Sequence, residues 1–281
     1  MEIGNIRINK LPGEHIHFYF LGDVHEGNVN HDEKALRTAV KMIETDENAR
    51  VILMGDMIEA ITHRGDNRFD PITIAHKYEI RDLKDLPWRQ MSVVIERLEP
   101  IKEKVDAIIV GNHEESYIKY NSNDIYDRFC RQFPKAKKLG RVGFMNYIIN
   151  IRADGKRSAD YTIKIALNHG DGGRGELEGY PINVVHKVFK YMYADINVMG
   201  HIHNLAEDRK PITTITSRGK LVQRIRYWGV SGCFFRTYVE GNRSYYEHKA
   251  GRKGDSDVGM LMMDIELHNK NWRGEMKKIY L

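Results

Sequence analysis

The stretch Val110-Gly111-Asn112-His113-Glu114, arriving straight after Ala107-Ile108-Ile109, decides how this chain folds. A short β-branched run that stops in Gly-Asn-His predicts a buried strand delivering polar side chains at its carboxyl end. In an open α/β sheet that end is where ligands sit. Asn112 brings a neutral oxygen and His113 a titratable imidazole one residue later.

Four other places repeat the pattern. Residues 15–21 form an apolar run that breaks into Gly22-Asp23-Val24-His25, and residues 51–54 run into Gly55-Asp56-Met57-Ile58-Glu59. Further on, a strand over 161–168 ends in Asn168-His169-Gly170-Asp171, and a strand over 196–199 ends in Gly200-His201-Ile202-His203. Asp23 and His25 are two apart, so on extended chain they share a face and can grip one ion. Between the first two strands, Ala35, Leu36, Ala39, Val40 and Ile43 keep helical spacing over 32–45, which makes a βαβ unit of a parallel sheet. Further helices are expected over 88–104, 122–133 and 182–193. Strands over 144–151 and 161–168 flank a polar turn at Ala153-Asp154-Gly155, and a hairpin of that kind adds antiparallel pairing. Strands are also expected at 211–216, 221–228 and 259–267, after a lead-in strand within 1–14.

Composition sets bounds. The chain has 281 residues, 41% hydrophobic and 30% charged, with two cysteines, Cys130 and Cys233. Those values suit a soluble α/β protein with reduced thiols. No run approaches the roughly 18 apolar residues of a membrane span, and residues 1–5 lack a signal-peptide pattern. A cytoplasmic location is therefore expected. One domain over 1–281 is expected, with a cap insertion at 60–87 and a basic aromatic loop at 236–253. The net charge of +5 is uneven: residues 204–254 hold 11 Lys/Arg against 4 Asp/Glu. Tyr245 and Tyr246 sit there among Arg243, Lys249, Arg252 and Lys253, a mixture able to stack bases and contact phosphates. A solvated face with core aromatics, Phe234 and Phe235 among them, explains the segment equally well.

The candidate ligands are Asp23, His25, Asp56, Asn112, His169, His201 and His203. All are carboxylate, imidazole or amide, with no thiolate, which suits Mn, Fe, Zn or Ni. Seven are too many for one tetrahedral ion and fit two ions sharing a bridging carboxylate. Two divalent ions, two aspartates and a bridging hydroxide leave a charge of +1, which attracts a phosphate. Such a pair generates hydroxide near neutral pH and clamps both oxygens of an in-line displacement. His15, His17, His76, His186 and His248 match none of the five blocks and read as surface or core residues. Arg64 and Arg174 each follow a ligand block closely. Either could clamp a phosphate bidentately, or stand solvated in its loop.

The five blocks, in this order across residues 22–203, resemble the calcineurin-like metallophosphoesterase superfamily. The resemblance implies a four-layer α/β/β/α sandwich with two mixed β-sheets. By motif position it gives Asp23, His25 and His203 to the first metal and Asn112, His169 and His201 to the second, with Asp56 as the bridge. His113 then protonates the leaving oxygen, oriented by the acid at Glu59, where many relatives carry Asp. The implied function is a dinuclear phosphoesterase using metal-bound hydroxide, Mn being the ion expected to support activity. The expected partner is a phosphate-ester substrate, foremost a phosphodiester in nucleic acid or a nucleotide. A phosphomonoesterase or nucleotide-type pyrophosphatase is the alternative, and a non-catalytic scaffold the reading from another class. Ala60-Ile61 stands where a protein phosphatase of the superfamily carries Arg-Gly, and no long apolar lid for a lipid substrate is visible.

Overall fold

The computed structural model describes all residues except 62–70, 154–155, 172–176, 178, 217–218, 243–254 and 270. Two six-stranded sheets face one another. The order in one is β12 (Trp272–Tyr280), β11 (Gly259–Leu267), β2 (His15–Leu21), β3 (Ala49–Leu53), β4 (Val105–Ile108) and β5 (Lys137–Lys138). In the other it is β1 (Glu2–Lys10), β6 (Val142–Ala153), β7 (Lys156–Asn168), β8 (Ile196–Met199), β10 (Leu221–Ser231) and β9 (Leu205–Ile215). β2, β3, β4 and β5 run parallel and β11 antiparallel to β2; β7, β8 and β10 run parallel while β6–β7 and β9–β10 are antiparallel. Both sheets are mixed, as the family resemblance implies.

Burial on both faces explains why the central strands read as unbroken apolar runs. On β2, Phe18 and Phe20 enter the core between the sheets with Ile52, Tyr147, Ile165 and Val198. Tyr19 and Leu21 turn the other way, toward a helical layer. Each fully buried phenylalanine contributes roughly 1.5–3 kcal/mol of transfer free energy. That helical layer holds α1 (Glu33–Thr45), α2 (Leu86–Leu98), α3 (Asn112–Asn121) and α4 (Ile125–Cys130). α1 starts at Asp32, whose carboxylate accepts from the Ala35 N–H at 2.9 Å, and lays Ala35, Leu36, Ala39, Val40 and Ile43 on the sheet. α5 (Tyr180–Val188) covers the second sheet with Val185 and Phe189. The result is four layers, α/β/β/α.

The sandwich is also pinned across its middle. Arg50 on β3 holds both carboxylate oxygens of Asp106 on β4 at 2.5 Å, and Tyr147 on β6 donates to the same carboxylate at 2.9 Å.

Several boundaries differ from the sequence reading, each for a local reason. The helix expected over 88–104 is α2 followed by a 3₁₀ turn, Glu99–Lys104, because Pro100 has no N–H for the α ladder. Over 122–133 the helix is only α4. Ser122 closes α3 in a left-handed conformation (φ 50°), and Asp124 caps α4 by accepting from Asp127 N–H at 2.7 Å. α5 ends at Val188 instead of 193. β12 escapes the sequence pattern because it is an edge strand on which only Met276 is buried. Its Arg273, Lys277 and Lys278 are the charges that protect such edges from pairing with other chains. Among the described residues, no helix is long and apolar enough to cross a membrane.

Candidate metal centre

The five polar blocks follow β2, β3, β4, β7 and β8, three neighbouring strands of one sheet and two of the other, so their carboxyl ends converge at one pole of the sandwich. The chain turns sharply there. Asp23, His25, Asp56, His201 and His203 all have positive φ, between 48° and 72°, and they are five of the seven non-glycine residues with positive φ among those described. Such conformations cost about 1–3 kcal/mol each and persist where surrounding bonds over-determine them. Here the loops after β2 and β3 hold each other: Asp23 N–H donates to Gly55 O (2.9 Å), and Val24 and His25 N–H donate to Asp56 O (2.8 and 3.1 Å). Asp23 in turn accepts from the His201 N–H at 3.1 Å through both oxygens.

The donor atoms gather in two groups, Asp23/His25/His203 and Asp56/His169/His201, within each of which they lie no more than 4.8 Å apart. Asp23, His25, Asp56 and His169 are essentially excluded from solvent. Hydrogen bonds behind the rings set the tautomers. His25 Nδ1 donates to the Glu59 carboxylate at 3.0 Å, and His169 Nδ1 to the Met54 carbonyl at 2.8 Å. Each ring therefore turns the lone pair of Nε2 inward. That lone pair of His25 faces Nε2 of His203 at 3.0 Å. The lone pair of His169 faces Asn112 Oδ1 at 3.0 Å and Asp56 Oδ2 at 3.1 Å. Imidazole nitrogens and carboxylate or amide oxygens gathered this closely, in two groups of buried ligand atoms, match the donor set of divalent ions, so the residues fit them. Nitrogen and oxygen donors in this mixture suit a transition metal.

With only protons to fill the gaps, the cluster is strongly polarised. Burial opposes charge on His169, but Asp56 and Asp23 pull its pKa up to about 10. Burial pushes His203 down to about 4. Asp56, despite burial, is held well below the ordinary carboxylate range by His169, His113 and His25.

His113 is the second residue of α3. Its N–H donates to Asp56 Oδ1 at 2.9 Å and its ring stands edge-on to His25, centroids 4.6 Å apart. The sequence reading has the Glu59 carboxylate orient this ring. The contact is a different one: His113 Nδ1 donates to the backbone carbonyl of Glu59 at 2.5 Å, whereas the carboxylate lies 3.9 Å away and is engaged by His25.

Two residues have roles the sequence reading did not assign. Glu114, buried at the start of α3, accepts N–H bonds from Asp56 (3.1 Å), Met57 (2.7 Å), Ile58 (3.3 Å) and Gly111 (3.1 Å). It clamps the Asp56 loop onto the Asn112 loop, and burial together with Asp56 pushes its carboxyl up to about 7. An acid three positions after a helix cap is the local signal for it. Phe235 packs against the rings of His25 and His203, 5.6 and 5.7 Å away. Nothing local in the sequence marks it. Phe234 and Phe235 are fully buried, so of the two readings of the aromatic segment the core one holds for this pair. Arg64, Arg174 and residues 243–253 lie outside the described residues. Of the expected cap, residues 71–87 carry two 3₁₀ turns, Pro71–Thr73 and Ile80–Asp85, and are tied beside the site by Lys77 and Tyr78, which reach Glu26 at 2.7 and 2.5 Å.

A family model, calcineurin-like phosphoesterase, matches residues 16–205. No curated protein matches the chain. Among solved structures, similarity is found to a predicted phosphoesterase from Streptococcus pneumoniae (11% identity, TM-score 0.31, covering 94% of this chain and 90% of that one). It is also found to Vps29 from Chaetomium thermophilum (9%, 0.36, 94% and 95%) and to GAP50, the anchor in the inner membrane complex of Plasmodium (10%, 0.43, 95% and 89%).

Proposed function

The chain belongs to the calcineurin-like phosphoesterase family, and from that premise we propose that it is a two-metal hydrolase of phosphate esters, acting on a phosphodiester in nucleic acid or a nucleotide. The observation that carries the reading is the inward convergence of acceptor atoms, with Glu59 and Met54 fixing the tautomers of His25 and His169 from behind. Asp23, His25 and His203 would hold one ion, and Asn112, His169 and His201 the other, with Asp56 between them. When bound, a pair of divalent ions supplies a water nucleophile that ionises near neutral pH and positive charge for the phosphate oxygens. Mn²⁺ is the proposed activating ion.

The chain's own groups do the rest. His113, its Nδ1 proton committed to the Glu59 carbonyl, exchanges a proton at Nε2 with the leaving oxygen. Glu114 keeps the Asp56 and Asn112 loops in register through four backbone N–H groups. Phe235 closes one side of the His25/His203 pair and keeps water from it. The diester preference rests on the concentration of basic residues over 204–254, with Arg64 and Arg174 as proposed phosphate contacts.

The test is a substrate panel with Mn²⁺: single-stranded and duplex DNA, RNA, cyclic nucleotides, an activated diester and a monoester, before and after chelation. The expected result is diester turnover that disappears with the chelator and returns with metal. A monoester preferred over every diester moves the function to the phosphomonoesterase alternative. No turnover by a chain shown to bind two ions leaves a scaffold.

A further inference from the structure

We propose that His15, His17 and Asp264 form a separate site for a single zinc-like transition-metal ion. These residues lie at the opposite end of β2 from the catalytic centre. Seven residues of strand at about 3.3 Å each place the two sites roughly 20 Å apart.

The backbone brings the three together. His15 and His17 are two apart on β2 and share its outer face. Asp264 stands directly opposite His17 across the β2–β11 ladder. Tyr19 and Leu21, further along the same face, are covered by the helical layer. The two histidines lie past the end of α1, beside the capping residue Asp46. Their side chains are open to solvent, 42% for His15 and 22% for His17, so an ion can enter.

The chemistry is that of an oriented ligand set. Asp46 accepts the His17 Nδ1 proton at 2.6 Å and is itself fixed by the Tyr19 hydroxyl and the Asn48 N–H, both at 2.9 Å. A carboxylate behind a histidine in this way sets the ring and the tautomer for a metal. The lone pair on His17 Nε2 then faces Asp264 Oδ1 at 3.4 Å, and His15 Nδ1 faces the same oxygen at 2.7 Å. Lys277 holds the other oxygen, Oδ2, at 3.0 Å. It neutralises part of the Asp264 charge while leaving Oδ1 directed at the histidines. All three donor atoms lie within 4.8 Å of one another. A tetrahedral zinc with donors at about 2.0–2.2 Å spaces them roughly 3.3 Å apart. The His17–Asp264 pair already fits, and the His15–Asp264 pair must open by roughly half an ångström. Two imidazoles and one carboxylate select Zn²⁺, Ni²⁺ or Cu²⁺ over the oxygen-preferring Ca²⁺ and Mg²⁺, and water completes the shell.

The experiment is a Zn²⁺ titration of the metal-stripped full chain against a chromophoric chelator. It compares wild type with His15→Gln, Asp264→Asn, Asp46→Asn and the double variant His15→Gln/His17→Gln. Wild type should take up one Zn²⁺ per chain more than the double variant. Asp46→Asn should bind that ion about 10–100-fold more weakly, the usual effect of losing an orienting carboxylate. Mn²⁺-dependent hydrolysis should stay at the wild-type level in every variant, which separates this site from the catalytic one. Circular dichroism distinguishes a lost site from a lost fold, and the exposed His15→Gln reports on the site alone should the His17 variant unfold. Equal zinc stoichiometry and affinity in wild type, His15→Gln and Asp264→Asn overturns the proposal and leaves His15 and Asp264 as a hydrogen-bonded pair.

Discussion

Replacing Gly111 by alanine tests whether the position of Asp56 controls activity. Gly111 is extended (φ −92°, ψ 171°), a conformation alanine adopts without strain, so the whole effect comes from one methyl group. A Cβ built there meets Asp56 N and Asp56 Oδ1 at 2.1 Å and the Glu114 carboxylate at 2.7 Å. Ordinary contact begins at 3.4 Å, so Asp56 must retreat by about 1.3 Å. Neither obstacle yields easily, because one is backbone and the other a carboxylate held by the His113 N–H. A displacement of about 1 Å at a reacting centre costs on the order of 10²-fold in rate, and an overpacked methyl costs about 1–3 kcal/mol of stability. Gly111→Ala should therefore fold, melt several degrees lower, and lose about 10²-fold in kcat/KM on an activated diester with Mn²⁺. Its metal content should fall as well, because Asp56 is proposed to serve both ions. Gly140→Ala, with nothing among the described residues within 4 Å of its added Cβ, is the control and should match wild type. Activity within threefold of wild type, with both ions retained, would refute the claim that Asp56 must stand where it does.

His113→Ala should keep both ions and lose about 10²–10⁴ in turnover, the range for a positioned general acid. The loss should shrink on esters with good leaving groups; an equal loss on poor and activated esters rules out the acid role. Arg50→Gln should cost about 3 kcal/mol at pH 7, because it strands the buried Asp106 carboxylate. Burial raises Asp106 above its ordinary 3.8 against the pull of Arg50 and Tyr147. Its protonated form is thus favoured on folding: that stability is fully present below 3.8 and lost as pH rises through the folded value. The variant's penalty, read from urea midpoints, should be smaller at pH 4 than at pH 7, and a pH-independent penalty contradicts the assignment.

By itself the sequence determined where the candidate ligands lie. Each block lies next to a strand that its own residues encode, so Asp23, Asp56, Asn112 and His201 could be read from short windows of apolar periodicity closed by glycine. The apolar run of β2 likewise fits a strand buried on both faces. Tertiary structure decided which side chain meets which. Glu59 hydrogen-bonds His25 through its carboxylate and His113 through its carbonyl, a choice made by packing between loops that local sequence does not contain. Phe235 reaches the site from beyond β10, and Glu114 from its own helix ties down a loop after β3. β12 stayed hidden because an edge strand with one buried side chain has little periodicity to read. His15 and His17 matched no motif for a different reason: Asp264 lies 249 residues from His15 along the chain and Asp46 lies 29 from His17. Strand pairing across β2–β11 and the end of α1 bring them together, and hydrogen bonds formed only in the folded chain set the lone pairs.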